Sequence, residues 1–246
     1  MAELRLDWEK VERARAAAAE IAADTEEKLS GHTTVTVERA IARLFGVDGV
    51  DAHDVPLPNR LVEVLLEKGL LGHGAAYYIG RAALAEGLSP QQFAEAVADD
   101  RIDPARLKPV DRFELKLWID QTADRSMEKI RDNRLKREAE LERYGEHGGP
   151  LLYVIVATGN IYEDIVQAQA AVKQGADIIA VIRSTGQSLL DYVPYGASTE
   201  GFGGTMATQE NFRLMRAALD ESGAEVGRYI RLCNYCSGLC MPEIAV

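Results

Sequence analysis

The spacing of apolar residues along the chain changes character near residue 150. Before it, small and apolar side chains recur every three or four positions, as on one face of a helix, and no strand-like alternation occurs. Ser89, Pro90 and Gln92 form a helix-start signal made of an N-cap, a proline at the first helical position and a capping-box glutamine. The pattern predicts helices over about 8–29, 37–45, 59–68, 76–86 and 90–98, and one long helix or two over 110–144.

After the break at Gly145–Pro150 the pattern becomes one of short β-branched runs separated by helical segments. Apolar runs predict strands over 153–157, 176–182 and 228–232, with helices over 162–174 and 207–221 between them. Strands that alternate with helices indicate a parallel sheet, either open and doubly wound or part of a (β/α)8 barrel. We therefore predict an α/β protein with a helical region over 1–149 and a region of three βα units over 150–246.

Charge and hydropathy narrow the possible functions. The 28 basic and 39 acidic residues give a net charge of −11, which disfavours nucleic acid and anionic membranes as partners. The charged stretch 124–143 is nearly balanced, so we interpret it as a solvated helix face in preference to a nucleic-acid-binding or partner-binding arm. The longest strongly apolar run, 151–157, is too short to span a bilayer, and the acidic start lacks the features of a secretory signal. We expect a cytoplasmic protein.

The candidate chemistry lies where the predicted strands end, because function collects at the carboxyl ends of parallel strands. Three loops follow them: 158–160, 183–188 and 233–238. The second brings one guanidinium, three hydroxyls and a glycine together within six residues, a set that can surround a phosphate. The alternative is a polar loop that satisfies its own backbone.

Three other motifs give weaker evidence for a binding site. The glycines of 201–205 match neither nucleotide-binding fingerprint, so we interpret that segment as a loop before a helix. Cys233, Cys236 and Cys240 lack the fourth ligand of a zinc or bacterial ferredoxin site, which favours reduced thiols over a metal site. Asp51 and His53 superficially match a cobalamin-binding motif, but they lie between helices and the motif's glycine is replaced by proline. No metal site is predicted.

Several long motifs resemble one family. The segments are IRSTGQSLLDYVPYG (182–196), TEGFGGT (199–205), ATQENF (207–212) and RLCNYCSGLCMPE (231–243), with TTVTVER (33–39) and DVPLPN (54–59) in the helical half. Together they resemble the alpha subunits of lysine 5,6-aminomutases, and the likeness covers essentially the whole chain. The resemblance implies a (β/α)8 barrel of the TIM type that binds pyridoxal phosphate (PLP), here with its first three βα units after a helical N-terminal region and thus incomplete.

The resemblance also implies an activity and its cofactors. The family's enzymes are isomerases that catalyse a radical 1,2-amino shift on D-lysine or L-β-lysine with adenosylcobalamin and PLP. By resemblance, Arg183 and Ser188 match residues that contact the PLP phosphate, and Ser237 matches another PLP-neighbouring position. Ser184, Asn234 and Tyr235 lie in the same loops and are included as candidates. The sequence does not identify catalytic residues.

The resemblance assigns further components to other chains. None of the chain's eight lysines lies at a predicted strand end. The lysine that binds PLP is therefore expected from a partner beta subunit, which also carries the cobalamin-binding domain. Because family alpha subunits are about twice as long, the rest of the barrel is expected as a separate chain if the gene is split, and this chain is expected to be inactive alone. The alternatives are a non-catalytic interaction module and an iron–sulfur protein built on the three cysteines.

Overall fold

The computed structural model of the chain describes residues 6–145, 148–182, 192–235 and 241–246. Residues 1–34 form one compact unit and residues 35–246 form a second. The boundary that the sequence predicts between 149 and 150 stays a prediction. Among the described residues, no helix is both long and apolar enough to cross a membrane.

The first unit contains one long helix, α1 (Trp8–Leu29). It begins at Asp7, whose carboxylate accepts a hydrogen bond from the backbone N–H of Lys10 at 3.2 Å. The helix confirms the prediction for this segment. None of its 22 residues is buried, so its apolar positions remain in contact with solvent.

Four helices make the core of the helical region in the second unit: α2 (Val35–Leu44), α3 (Leu57–Glu67), α4 (Ala75–Glu86) and α5 (Pro90–Ala98). The capping box predicted for α5 is present, with Ser89 and Gln92 each bonding the other's backbone N–H. Apolar residues from all four helices fill one continuous core, which includes the fully buried side chains of Ala42, Leu61, Leu65, Ile79 and Phe93.

The long charged segment forms a single helix, α6 (Arg112–Tyr144). Its first turn is held by Asp111, which accepts bonds from the backbone of Phe113 and Glu114. Near its start α6 crosses α4 at Gly80, where an added Cβ would lie 2.6 Å from a methyl group of Leu115. The residues 124–143 are mostly exposed, and their interpretation as a solvated face in preference to a partner-binding arm stays a prediction.

Three parallel strands follow, β1 (Tyr153–Val156), β2 (Ile178–Ile182) and β3 (Arg231–Tyr235), in the spatial order β1-β2-β3. The connections contain α7 (Ile161–Lys173) and α8 (Gln209–Val226). Both helices cover the same face of the sheet. Their shared core contains Val156, Ile161, Ala168, Val172, Ile179, Val181, Met215, Leu219 and Ile230. The predicted alternation of strands and helices is confirmed.

The third strand begins three residues later than predicted. Helix α8 continues beyond residue 221 to Val226 and is ended by the left-handed Gly227, while the side chain of Arg228 turns to Asp177. The residues 228–230 are therefore a connection, and the strand is Arg231–Tyr235. As a result, Asn234 and Tyr235 are the last two residues of a strand, and their predicted placement in the following loop is wrong.

A short helix, α9 (Met241–Ala245), packs against α2 and joins the two halves of the second unit. Glu243 is fully buried there, with its Oε1 2.8 Å from Nε of Arg39. Burial raises the pKa of Glu243, against the opposing effects of Arg43 and Arg39. Helix α9 is thus anchored to α2 by a buried ion pair.

Candidate functional site

The candidate site is the edge of the sheet where β2 and β3 end. Ile182 and Tyr235 are register partners, so the two segments predicted to contact PLP follow adjacent strand ends in the chain. Asn234 and Tyr235 are the two candidates that the structure describes. The other four, Arg183, Ser184, Ser188 and Ser237, lie outside the described residues.

Asn234 has an unusual environment for an amide side chain. It is in register with Val181 and Val156, on the sheet face that α7 and α8 cover. Its Nδ2 and Oδ1 atoms are both buried, and neither has a hydrogen-bond partner in the described part of the chain. A buried polar group left unpaired costs about 1–3 kcal/mol, so this amide is a candidate contact for a ligand or for a neighbouring loop.

Tyr235 is on the opposite, open face of the sheet, where its hydroxyl lies 2.7 Å from that of Tyr153. The two tyrosines are at opposite corners of the three strands, and Ala180 of β2 lies between them in the register. The alanine is fully buried although it faces the open side, which is consistent with the tyrosines reaching over its small side chain. Desolvation, followed by the hydrogen bond to Tyr235, raises the pKa of Tyr153 to about 12.

The loop after β1 is held by a buried carboxylate. Asp164, in the first turn of α7, is 0% exposed. Its Oδ1 accepts bonds from the backbone N–H of Thr158 at 2.7 Å and from the Thr158 hydroxyl at 2.8 Å. Its Oδ2 accepts a bond from the hydroxyl of Thr205, which in turn accepts a bond from the N–H of Gly159. One carboxylate thus joins the β1 loop to the glycine-containing loop before α8.

Two glycines allow these loops to touch. The N–H of Gly201 donates to the carbonyl of Gly159 at 2.9 Å, and the backbones are packed directly on each other. A Cβ on Gly159 would lie 2.6 Å from the carbonyl oxygen of Gly201, and a Cβ on Gly201 would lie 2.7 Å from the Cα of Gly159. Gly159 also has a φ of +97°, which side chains disfavour. The prediction of a loop leading into a helix at 201–205 is confirmed, with the helix capped by Thr208.

A second set of hydrogen bonds fixes the start of α8 to the loop that precedes it. The side chain of Asn211 accepts from the N–H of Ser198 and donates to the Ser198 hydroxyl and the Met206 carbonyl. The Thr208 hydroxyl donates to the carbonyl of Gly196 at 2.7 Å. The N–H of Ile161 bonds the Ser198 carbonyl. The described residues between 192 and 208 are therefore tied to the first turns of both α7 and α8.

Comparisons with known proteins agree with this arrangement of strands and helices. Residues 4–246 match the family model described as the D-lysine 5,6-aminomutase TIM-barrel domain of the alpha subunit. This chain belongs to that family. The sheet is accordingly the three-stranded part of a TIM-type barrel, preceded by a helical region, as the sequence predicted.

Three relatives illustrate the membership. The lysine 5,6-aminomutase alpha subunit of Acetoanaerobium sticklandii is 63% identical over 242 residues, covering 98% of this chain and 47% of the relative. The alpha subunit of Fusobacterium nucleatum is 56% identical over 246 residues, covering 100% of this chain and 48% of the relative. The D-ornithine 4,5-aminomutase subunit beta of A. sticklandii is 40% identical over 97 residues, 39% of this chain and 13% of the relative. The chain spans about half the length of the lysine 5,6-aminomutase alpha subunits that it matches.

The one lysine in the barrel part of this aminomutase family member lies at the other end of the sheet from the candidate edge. All eight fall within described residues, and seven of them are in or next to α1, α3, α6 and the turn before α6. Lys173, the one that belongs to the barrel part, ends α7 near the amino end of the sheet and pairs with Glu225 at 3.5 Å. Lys173 is therefore not placed to bind a ligand covalently at the carboxyl ends of β1, β2 and β3.

A cleft of about 1000 Å³ lies between α6 and α8, but its chemistry is different. Its α8 wall carries Arg213 and Arg216, which are paired with Glu210 and Asp220 respectively. Arg228 also lines it and is bound to Asp177. Because these cations have acidic partners and the cleft is beside α8 rather than at the strand ends, we do not assign the family's chemistry to it.

Sequence reasoning missed Asp164, Thr205 and Tyr153. A signal for Asp164 was present, since it occupies the same 161, 164, 168, 172 helical face as three fully buried apolar residues. A carboxylate on a buried helix face destabilises the fold unless it accepts hydrogen bonds or pairs with a cation, so its presence there indicates a structural or functional role. Tyr153 gave no comparable signal, because its partner is 82 residues away.

Proposed function

We propose that this chain supplies the helical region and the first three βα units of the alpha component of a lysine 5,6-aminomutase, an isomerase that acts on D-lysine or L-β-lysine. The family match over residues 4–246 supports the proposal. The observation that locates the site is the buried amide of Asn234, which has no hydrogen-bond partner among the described residues. It lies at the strand ends that lead to Arg183 and Ser237.

The residue types at this edge fit PLP. Arg183, Ser184, Ser188 and Ser237 offer charge-assisted and hydroxyl donors for a phosphate, and Asn234 adds buried amide atoms that lack a partner among the described residues. When bound, PLP would supply a conjugated system that stabilises an unpaired electron on the substrate. The protein's part is to hold the phosphate, orient the ring and exclude water.

The described residues do not fit cobalamin, so we assign adenosylcobalamin to a beta-type partner chain. The nearest sequence match to a cobalt-ligand motif is at Asp51 and His53. There the Asp51 carboxylate accepts bonds from the backbone N–H groups of His53 and Val55 at 2.8 and 3.0 Å, as in an ordinary turn. By resemblance to the family, the same partner would supply the lysine that binds PLP. We expect this chain alone to be inactive.

The test is reconstitution followed by PLP titration. This chain is produced together with the part of the A. sticklandii alpha subunit that it does not span and with that organism's beta subunit. We expect Arg183→Ala to weaken PLP binding by about 1.5–3 kcal/mol, the usual range for a hydrogen bond to a charged group. Arg143→Ala is the control, because Arg143 is on the exposed part of α6. Equal PLP affinity of both variants would remove Arg183 from the site.

The same complex separates the alternatives. A non-catalytic interaction module is favoured by α1, a 22-residue helix without a buried residue. If that alternative is correct, the assembled complex forms but neither binds PLP nor converts D-lysine. An iron–sulfur protein would contain iron after anaerobic purification. Of the three cysteines, Cys233 is described, as a free thiol in β3, and the other two are outside the described residues.

A further inference from the structure

We propose that the cleft between α6 and α8 is the docking site for an acidic helix from the complementary part of the barrel, and that Lys136 and Arg137 of α6 bind this helix. The inference rests on the proposed function, because it names a partner surface of the same alpha component. It assigns a role to the cleft of about 1000 Å³, which lies beside α8 and away from the strand ends.

The first argument is the position of the cleft relative to the sheet. Strand β3 is at one edge of the three strands, and α7 and α8 cover the same face. The described lining of the cleft comes from α6, α8 and the connection 228–230 that leads into β3, and α7 takes no part in it. Because crossovers between parallel strands are right-handed, the helix of the next βα unit in a TIM-type barrel lies on this face, beside α8 and away from α7. That side of α8 is the cleft.

The second argument is the size and shape of the cleft. A helix about 10 Å across occupies roughly 1000 Å³ over about 13 Å of its length, which is a little more than two turns. The walls carry three exposed alanines, Ala139 on α6 and Ala217 and Ala224 on α8. Small side chains at a contact shorten the distance at which two helices pack. The cleft therefore has room for one helix packed closely between α6 and α8.

The third argument is charge. Among the described lining residues six are Lys or Arg and two are Asp or Glu, in a chain whose net charge is −11. Arg213 and Arg216 on the α8 wall already have acidic partners. Lys136 and Arg137 on the α6 wall form no ion pair with any residue that the structure describes. A helix without carboxylates would cover these two cations and leave them unpaired, which is unfavourable. The docked helix therefore has acidic residues on the side that faces α6.

The second half of α6 also supplies a matched control for these two cations. Lys129 and Arg131 are exposed cations of the same helix and do not line the cleft. Replacing either pair by glutamine removes the same charge and keeps a residue with a high helix propensity. The two double variants thus differ only in whether the lost charges face the cleft.

The first experiment measures how tightly this chain binds the part of the A. sticklandii alpha subunit that it does not span. Titration calorimetry at low and high salt gives the affinity. We expect Lys136→Gln with Arg137→Gln to weaken binding by about tenfold or more at low salt and to reduce its salt dependence. Lys129→Gln with Arg131→Gln should change the affinity by less than about twofold. Equal effects of the two double variants, or no binding by the unmodified chain, would overturn the docking site.

The second experiment tests close packing against α8. Ala217→Trp places a large side chain in the cleft at an exposed helix position, so it should leave the urea denaturation of the chain unchanged while weakening the association by about tenfold or more. Ala217→Ser keeps the small size and should bind as the unmodified chain does. If Ala217→Trp binds equally well, no helix packs against α8 at this point and the proposal is wrong.

The remaining outcomes identify the occupant and separate this proposal from the proposed function. If this chain alone forms dimers that Lys136→Gln with Arg137→Gln dissociates, the cleft receives a second copy and the proposal is wrong. If the full complex with the beta subunit assembles through the cleft but binds no PLP, the docking site stands and the proposed function fails. If the complex binds PLP and the cleft variants assemble normally, the proposed function stands and the docking site is overturned.

Discussion

The two ends of the three-stranded sheet are built on different principles. At the amino end, Asp177 and Arg228 neutralise each other, and Arg228 also donates to the carbonyls of Val172 and Gly175 at the end of α7. At the carboxyl end, Asp164 accepts from hydroxyl and backbone donors, and the amide of Asn234 lacks a partner among the described residues. The buried charges of the amino end are thus paired within the described residues, while the carboxyl end includes an amide without such a partner. In TIM-type barrels the carboxyl end is the face that carries function.

The largest expected effect is at the amino end. Arg228→Ala leaves Asp177 buried without its cation and removes two donors from the carboxyl end of α7. Breaking such a pair costs about 3–5 kcal/mol when it is fully buried, and we expect about 3 kcal/mol because Arg228 is 25% exposed. Urea denaturation of the chain measures it. Arg213→Ala, which breaks an exposed pair with Glu210, should cost less than about 1 kcal/mol; similar losses for both would contradict the difference between the ends.

A smaller effect is expected from two glycine substitutions. In Gly223→Ala the new Cβ would lie 2.6 Å from the carbonyl oxygen of Arg228, inside the packed amino end. We expect a loss of about 1–3 kcal/mol, although alanine ordinarily stabilises a helix by about 1 kcal/mol relative to glycine.

Gly201→Ala is the comparison at the other end, where the added Cβ would collide with the carbonyl oxygen of Gly204. Because Gly201 is followed by the exposed residues Phe202 and Gly203, whereas Gly223 is buried within α8, we expect a smaller change in the free energy of unfolding than for Gly223→Ala. Thermal melts of the two variants provide the measurement. A larger loss for Gly201→Ala would show that the carboxyl end, too, carries the stability of the fold.

The smallest effect concerns the hydrogen bond that connects the two ends. The pKa of Tyr153 is raised to about 12, so the folded chain keeps this proton between about pH 10 and pH 12 while the unfolded chain releases it. The stabilisation is therefore fully present below pH 10 and is lost as the pH rises through 12. Tyr153→Phe should make the free energy of unfolding less dependent on pH between pH 10 and pH 12, and should lower it by about 1 kcal/mol or less at neutral pH. Urea denaturation at several pH values provides the measurement. If the pH dependence of the variant equals that of the unmodified chain, Tyr153 is not its source.

Most of the fold could be predicted from the sequence because its signals are local. The capping box of Ser89 and Gln92, the β-branched runs of β1 and β2, and the balanced charges of α6 each act within a few residues. The start of β3 could not be placed in this way. It depends on Arg228 turning to Asp177, which is 51 residues away.

The location of the candidate site follows from a general rule, while its content depends on particular contacts. The rule that chemistry collects at strand ends points to the edge where β2 and β3 end, and two of the six candidate residues are described there, at the end of β3. That this edge binds PLP stays a prediction. Asp164 could have been recognised as a carboxylate on an otherwise apolar helix face. The contact of Gly159 with Gly201 and that of Tyr153 with Tyr235 depend on how distant loops and strands meet, which no local pattern encodes.

The buried pair of Arg39 and Glu243 has a consequence for the order in which the chain can fold during synthesis. Glu243 follows Arg39 by 204 residues, so at about 5–20 residues per second its codon is translated some 10–40 seconds later. During that interval the guanidinium of Arg39 must stay hydrated or use other partners, and α9 is not yet there to cover α2. The helical core can assemble early, but α9 can cover its side of α2 only after residues 241–245 have been made.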